Sequence, residues 1–442
     1  MSVNNGPVLV TGATGYIGGR LVPHLLEGGY SVRVLARDPA RLHGRRWLSQ
    51  VEVFQGDVLQ PETLLPALKG AKAAYYLVHS MMGGSDFHER DLKAARGFAQ
   101  TAGEAGLERI IYLGGLGETG EDLSPHLRSR QQTGDALRAN GVAVTEFRAG
   151  VVVGAGSISF EMIRYLSERV PIMISPKWVF TNIQPISIQN VLDYLIAALR
   201  LDDKEHHILE IGGPDVITYG DMLRGYSEVR GLRRWIVPVP VLTPRLSSYW
   251  VHWVTPIPAV IARPLIEGLR NEVIVRDRRA QDLFPEIKLI GYRQAVQDAL
   301  SSLDAQDVET AWTDALSNSQ GDIQPVRLST QEGMIIEQRK LEIGAPPAVV
   351  YKAFTSLGGE NGWLYANWAW RLRGLLDRMI GGVGYRRGRR HPQELRPGDA
   401  LDFWRVEHLQ PDSKMLLRAE MKVPGRAWLQ FETCPLENGR SI

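Results

Sequence analysis

The sequence predicts an α/β protein: a doubly wound parallel sheet with a small added lobe, followed by a separate α+β module. Three observations carry this. Over the first 150 residues, short apolar runs alternate with stretches of helical length, the pattern of a parallel sheet covered on both faces. The runs are continuous in Val, Ile and Leu rather than alternating, as strands buried on both sides require. Three glycines, Gly12, Gly15 and Gly18, follow the first run and open the first helix.

In chain order, Val8–Val10 reads as the first strand and Ile17–Glu27 as the first helix, with Leu21 and Leu25 on one face. Strands follow at Ser31–Ala36, Val51–Gln55, Ala73–Val78, Arg109–Leu113 and Val142–Arg148. Between them, Glu62–Leu68, His88–Glu104 and Pro125–Ala139 read as helices. These elements and the lobe make up a first domain expected over 1–305. From about 151 to 305 the pattern loosens. Helices fit Ile158–Glu168, Ile188–Leu201 and Tyr219–Glu228, and a strand fits His207–Ile211 before the turn Gly212-Gly213-Pro214. This stretch is the expected substrate-side lobe. Residues 306–331 are polar and read as a linker. The texture changes from 332 onward. Met334–Ile343 reads as a strand and Pro346–Thr355 as a short helix. Ala400–His408, Lys414–Lys422 and Arg426–Cys434 read as antiparallel strands, with turns at Gln410-Pro411-Asp412 and Pro424-Gly425.

Composition excludes several classes. A chain of 442 residues is too long for one ordinary domain. Lys plus Arg is 51 against 49 for Asp plus Glu, a net charge of +2, so the basic bias of a nucleic-acid binder is missing and no nucleic-acid partner is expected. Cys434 is the single cysteine, which excludes an intramolecular disulfide and a cysteine-cluster metal site. His206 and His207 are neighbours on a strand and point to opposite faces, so no metal is expected. The glycine motif starts so early that no signal peptide is expected. The apolar stretch Trp235–Leu269 is broken by Pro238, Pro240, Pro244, Pro256, Pro258 and Pro264, and carries Arg245, His252, Arg263 and Glu267. It does not read as a transmembrane helix. A cytoplasmic protein is the expectation.

The glycine triplet has a chemical meaning in this context. The first glycine permits a tight turn after the strand. The second lets the backbone approach a pyrophosphate at a helix N-terminus, where open N–H groups and the helix dipole favour anions. The third allows the helix to pack closely on the sheet.

The stretch Thr11-Gly12-Ala13-Thr14-Gly15-Tyr16-Ile17-Gly18-Gly19 resembles the TGxxGxxG motif of the short-chain dehydrogenase/reductase superfamily, in its extended or atypical branch. Gly56-Asp57-Val58 resembles that family's adenine-contacting segment, and Gln184-Pro185-Ile186-Ser187-Ile188 its landmark before the substrate side. The resemblance covers about residues 6–305. It implies a Rossmann fold with the nicotinamide over the C-terminal edge of the sheet. The cofactor residues it implies are Thr11, Gly12, Thr14, Gly15, Tyr16, Ile17, Gly18, Asp57 and Val58, with His79 and Ser80 at the end of strand four.

The end of the second strand bears on cofactor choice. Arg37 directly follows the run Val32–Ala36, with Asp38 next and Arg41 nearby. A basic residue there suits the 2′-phosphate of NADP, and an acidic one the ribose hydroxyls of NAD. A charge-assisted bond of about 1.5–3 kcal/mol corresponds to roughly a 10- to 150-fold preference, which favours NADP(H). Asp38 stands 20 residues past Gly18 and keeps NAD(H) as the competing reading.

The family's catalytic Ser, Tyr and Lys are not matched. Where Tyr-x-x-x-Lys is expected, His126 and Arg130 stand, still four apart and so on one helix face. The serine position falls in Leu113-Gly114-Gly115-Leu116-Gly117, which has no hydroxyl. His126 is the candidate acid, since histidine exchanges protons near neutral pH. Arg130 can bind ribose or phosphate but cannot act as a base. Tyr75, Tyr76, His79 and Ser80, at the end of strand four, are secondary candidates, with core packing as the alternative role of the two tyrosines.

Residues 332–442 resemble, in pattern rather than motif, the helix-grip, START-like or polyketide-cyclase-like superfamily. The long closing helix of that fold is missing, so this module reads as incomplete. The run Gly362-Trp363-Leu364-Tyr365-Ala366-Asn367-Trp368-Ala369-Trp370, with Arg371 and Arg373, fits a ligand cavity, a peripheral membrane contact or a plain core. Arg386-Arg387-Gly388-Arg389-Arg390 reads as a solvated loop or an anion contact. The resemblances imply an NADP(H)-dependent oxidoreductase acting on an apolar or amphipathic small molecule. The alternative is a non-catalytic NAD(P)H-binding sensor or assembly protein of the NmrA-like kind.

Overall fold

The computed structural model describes residues 6–42, 45–78, 87–117, 125–239, 268, 271–304, 310, 341–363, 367–379, 382–384, 388–391, 394–421, 426–436 and 440–441. The chain divides into two compact units, Met1–Ala315 and Leu316–Ile442.

The first unit is built on a seven-stranded sheet. Its strands are β1 (Val8–Thr11), β2 (Val32–Ala36), β3 (Glu52–Gln55), β4 (Ala73–Tyr76), β5 (Arg109–Gly115), β6 (Ala143–Ala149) and, from the lobe, β11 (His207–Ile211). The order is β11-β6-β5-β4-β1-β2-β3, and every neighbouring pair is parallel. The predicted α/β class and parallel sheet are present. Helices α1 (Tyr16–Glu27), α3 (Phe87–Glu104), α4 (Pro125–Arg138) and α6 (Ile188–Ala197) flank it. One apolar layer joins Val10, Leu21, Val34 and Ile111 to Leu192 and Leu195 of α6. The other joins Leu9, Leu35 and Tyr76 to Phe98 of α3 and Leu137 of α4. Successive strand residues thus feed opposite layers, which is why the runs contain no polar alternation.

The expected helix over Glu62–Leu68 is instead a 3₁₀ turn, Pro61–Thr63, and a single helical turn, α2 (Leu65–Leu68). In a continuous helix over 62–68, Pro66 would lie past the first turn and clash with the turn before it, so the stretch breaks into two pieces that each carry a proline in the first turn. In the lobe, β7 (Val152–Val153) pairs with β10 (Ile186–Ser187), and β9 (Asn182–Ile183) with β12 (Ile217–Thr218). Helices α5 (Ile158–Arg169) and α7 (Tyr219–Val229) pack beside them, with Phe160 against Tyr226 at 5.8 Å. Thr218 and Asp221 form a reciprocal capping box at the start of α7. A parallel pair absent from the sequence reading joins β8 (Ile172–Pro176) to β13 (Trp235–Val239), where only a proline-rich lobe was expected. Both are edge strands, so Pro176 and Pro238 leave no interior ladder bond unmade. The proline-rich stretch beyond 239 lies outside the described residues, apart from Gly268. Two further helices, α8 (Arg279–Leu283) and α9 (Tyr292–Asp304), complete the unit as described.

The second unit has helices α10 (Pro347–Thr355) and α11 (Asn367–Met379) and an antiparallel sheet β14 (Ala400–Leu401), β15 (Trp404–Gln410), β16 (Lys414–Ala419) and β17 (Trp428–Glu432). Its core is aromatic. Phe354 stacks on Phe431 at 5.5 Å, and Trp363 on Phe403 at 6.0 Å. Most of the expected strand Met334–Ile343 lies outside the described residues, and Ile343 itself bridges Ser441. The linker 306–331 also lies outside them, except Thr310. In the basic run, Arg386 and Arg387 lie outside the described residues. Arg389 and Arg390 correct the solvated-loop expectation. Arg389 donates to the carbonyls of Thr355 (2.6 Å) and Leu357 (2.9 Å), and Arg390 pairs with buried Asp399 at 3.0 Å. Their charges serve as internal struts, because guanidinium forks satisfy several carbonyl and carboxylate oxygens at once.

Asp402 is buried with φ of 53°, at the turn joining β14 to β15. Burial pushes its carboxyl up to about 6, against hydrogen bonds to Oδ2 from Trp363 Nε1 (2.8 Å) and Gly359 N (3.1 Å), which lower it. The unfolded value is about 4. Between these values the unfolded chain releases the proton while the folded chain keeps it, so stability falls as pH rises from about 4 to about 6. Asp402→Asn keeps the acceptor and tolerates the left-handed backbone. It is expected to raise stability at pH 8 by roughly 2–3 kcal/mol at most and to change little at pH 4. Thermal unfolding at both pH values checks this, and equal shifts at the two would refute it.

Candidate functional site

The sheet order reverses between β1 and β4, the switch point at which open α/β sheets form a crevice beyond the C-terminal ends of their strands. The glycine turn forms its floor. Gly12 has φ of +73°, and a Cβ on it would come within 2.6 Å of the Leu77 carbonyl after β4. A Cβ on Gly18 would drive into the Gly12 carbonyl, so the third glycine lets α1 sit on the turn. Gly15 differs: its added Cβ would meet only the Gly12 oxygen, at 3.2 Å. Gly15 precedes α1, and no side chain caps this helix. The first-turn N–H groups of α1 are therefore available to an anion. These residues fit a dinucleotide pyrophosphate, and they are the ones that would hold it.

The other expected cofactor residues surround the turn. Thr11 is fully buried; its hydroxyl donates to the Tyr75 carbonyl (2.9 Å) and accepts from Leu77 N (3.2 Å), tying β1 to β4. Thr14 lies in the turn, and Ile17 packs on the core from α1. Arg37 is exposed just past β2, and its carbonyl accepts from Gln55 Nε2 at 3.4 Å. Asp38 is exposed beside it and pairs with Arg41 at 3.6 Å. Asp57 follows β3; its Oδ1 accepts from Leu59 N (3.0 Å) and its own N–H donates to the Thr63 hydroxyl (3.0 Å). Val58 is buried in the α3-side layer. His79 and Ser80 lie outside the described residues.

Along the crevice, β5 ends under α4. Both His126 and Arg130 lie on α4, one turn apart; the side chain of His126 lies outside the described residues. Arg130 Nη1 donates to the Leu113 carbonyl at 3.0 Å, and the Arg130 carbonyl accepts from the Tyr112 hydroxyl at 3.0 Å. A Cβ on Gly115 would meet Leu127 Cδ2 at 2.8 Å and Arg130 Cδ at 3.2 Å. Gly115 is thus packed beneath the Leu127 and Arg130 side chains of α4. Tyr75 and Tyr76 are core residues. The Tyr75 hydroxyl donates to the Leu195 carbonyl (2.9 Å), and Tyr76 packs on Phe98 at 5.0 Å and Tyr112 at 6.2 Å. Burial holds both phenols well above their ordinary pKa.

Two features were not anticipated. Glu146 of β6 is buried and holds Arg138 of α4 and Arg148 (2.7 Å), which fixes α4 against the sheet. A lone acid inside the apolar run Ala-Val-Thr-Glu-Phe was its signal in the sequence. The second is a clasp on α1. Arg20 Nε donates to Thr310 Oγ1 (2.9 Å), Arg20 Nη2 to the Ala155 carbonyl (2.7 Å), and Thr310 Oγ1 to the Tyr16 carbonyl (2.9 Å). The Tyr16 hydroxyl is buried with no hydrogen-bond partner among the described residues, and burial pushes it up to about 12. Among the described residues no group of three or more His, Cys, Asp or Glu is placed to hold a metal, and no helix is long and apolar enough to cross a membrane.

Residues 12–152 match the family model described as NAD(P)H-binding, and residues 333–442 match one described as a protein of unknown function (DUF2867). The chain is 28% identical over 239 residues to a ceramide reductase of Caulobacter vibrioides, covering 53% of this chain and 74% of that protein. It is 24% identical over 256 residues to the photosystem II assembly factor Ycf39 of Cyanophora paradoxa, covering 56% and 76%. Its fold matches the triphenylmethane reductase of Citrobacter sp., crystallised with NADP(H), with a TM-score of 0.53 at 20% identity over 66% of this chain and 99% of that one. The first unit thus has a Rossmann-like parallel sheet, and its residues 12–152 match an NAD(P)H-binding family.

Proposed function

We propose that the protein is an NADP(H)-dependent oxidoreductase acting on an apolar or amphipathic small molecule. The observation that carries this is the uncapped start of α1 behind Gly12, Gly15 and Gly18, at the point where the sheet order reverses. A bound nicotinamide supplies hydride to or from a carbonyl carbon. The chain's own residues bind the dinucleotide, hold the substrate and deliver a proton to its oxygen. In this reading His126 is the proton donor and Arg130 the positioning residue at the end of β5. The ceramide reductase relative supports a lipid-like substrate. The second unit, with its two helices, antiparallel sheet and aromatic core, acts as a START-like ligand-binding module.

The second reading is a cofactor-binding assembly or sensor protein. It is favoured by the lack of a hydroxyl residue over Leu113–Gly117, where the family's serine is expected, and by the assembly-factor relative. Nicotinamide absorbance with a panel of quinones, enones, aldehydes and long-chain ketones separates the two. Turnover with any of them supports the enzyme, and binding without turnover supports the sensor.

NADPH is expected to bind more tightly than NADH, by roughly 10- to 150-fold, through Arg37. Fluorescence titration of both cofactors tests this. Arg37→Ala should remove the difference; equal affinities in the wild type, or an unchanged ratio in the variant, would return the site to NAD(H) and Asp38.

A further inference from the structure

Helix α11 (Asn367–Met379) presents an apolar stripe outward. Trp368 is 72% exposed, Leu372 50%, Leu375 47%, Leu376 53% and Met379 62%. At 3.6 residues per turn these five positions fall within an arc about 100° wide. The opposite face is the packed one: Gly374, Asp377 and Arg378 are buried, and Trp370 lies against the core beside Trp363 and Phe403. The packed face is thus largely polar apart from Trp370, and the helix's apolar face is the one that the described core leaves exposed.

The flanks of the stripe carry charge of one sign. Arg371 borders it on one side and Arg373 on the other; both are exposed, and neither pairs with an acid among the described residues. The single acidic residue of the helix, Asp377, is turned inward, where its Oδ2 accepts from Gly384 N at 2.8 Å. Exposed leucines with a tryptophan at one end and arginines on both shoulders match an interface of hydrocarbon beneath anionic head groups. A protein partner would need acids placed on both shoulders of its own groove. A lipid leaflet offers anionic oxygens on both sides of any helix lying in it.

We infer that α11 is a membrane-surface element that lies in the head-group region of a bilayer containing anionic lipid. The stripe enters the acyl boundary, and Arg371 and Arg373 pair with lipid phosphates. The inference stands independently of the function proposed above, because it uses no residue of the cofactor crevice.

Co-sedimentation of the full chain with vesicles tests it, using phosphatidylcholine alone and phosphatidylcholine with about 30 mol% phosphatidylglycerol. The wild type should pellet with the mixed vesicles and much less with the neutral ones, and added salt should weaken the binding. Leu375→Asp with Leu376→Asp changes only exposed positions, so the fold should be kept, as circular dichroism would verify. This variant should bind at least roughly tenfold more weakly. Arg371→Ala with Arg373→Ala should lose about fivefold per arginine on the mixed vesicles alone. Absence of wild-type binding, or equal binding by the folded aspartate variant, would overturn the assignment. So would a dimer in light scattering that the aspartate variant dissociates, since the stripe would then belong to a second copy of the chain.

Discussion

Gly15→Val is expected to abolish binding of NADPH and NADH alike while leaving the protein folded. The three glycines of the turn differ in what surrounds them. Side chains at Gly12 or Gly18 would strike backbone, so those variants test folding as much as binding. Gly15 has extended backbone, φ −86° and ψ −180°, which valine adopts readily, and its added Cβ touches only the Gly12 oxygen. The new branches would occupy the space in front of the first turn of α1, where the anion must approach. Losing several N–H-to-phosphate bonds should weaken both cofactors by roughly 100-fold or more. Fluorescence titration with a thermal melt decides it. A folded variant with intact affinity would remove the pyrophosphate from this turn.

His126→Phe is expected to reduce turnover by about 10²–10⁴-fold with cofactor affinity almost unchanged. The residue sits on α4 one turn before Arg130, whose guanidinium is fixed to the Leu113 carbonyl at the end of β5. A proton donor there acts only as charge develops on the substrate oxygen, so its loss should appear in kcat and not in binding. The nearby phenols are unsuited to replace it: Tyr75 spends its hydroxyl on Leu195, and burial raises both Tyr75 and Tyr76 well above their usual range. Steady-state rates for wild type and variant with one active acceptor provide the check. Unchanged turnover in the variant would move the acid away from α4.

The parts of the fold that were legible are those where one physical demand sets the residue type. Strands β1, β2, β4, β5 and β6 are covered on both faces, so nearly every position must be apolar and the run stands out against its polar ends. The glycine turn was legible because Gly12 has no alternative at φ +73° beside a carbonyl. The pair β8 and β13 was not, since Ile172, Trp235 and Val237 are exposed and prolines interrupt both strands. Helix α11 is absent from the sequence reading although its apolar positions keep the 3.6-residue period; its tryptophan-rich start reads there as a cavity lining, a membrane contact or a core. Thr11 belongs to the motif, yet its hydroxyl serves the sheet, and a motif alone does not report which way a side chain is spent.

The clasp between Arg20 and Thr310 has a bearing on how the unit assembles during synthesis. The two residues are 290 positions apart, and Thr310 also fills the space beside Gly19 and holds the Tyr16 carbonyl. The packing of Phe284 on Phe147 and Tyr194 brings the chain back toward α1 before Thr310 arrives, so this clamp follows the rest of the unit. At about 5–20 residues per second, the ribosome reaches Thr310 some tens of seconds after α1 has emerged. Through that interval α1 can form and pack on β1, but its outer face lacks the last clamp. The start of the nucleotide helix is therefore among the first segments made and among the last to be locked.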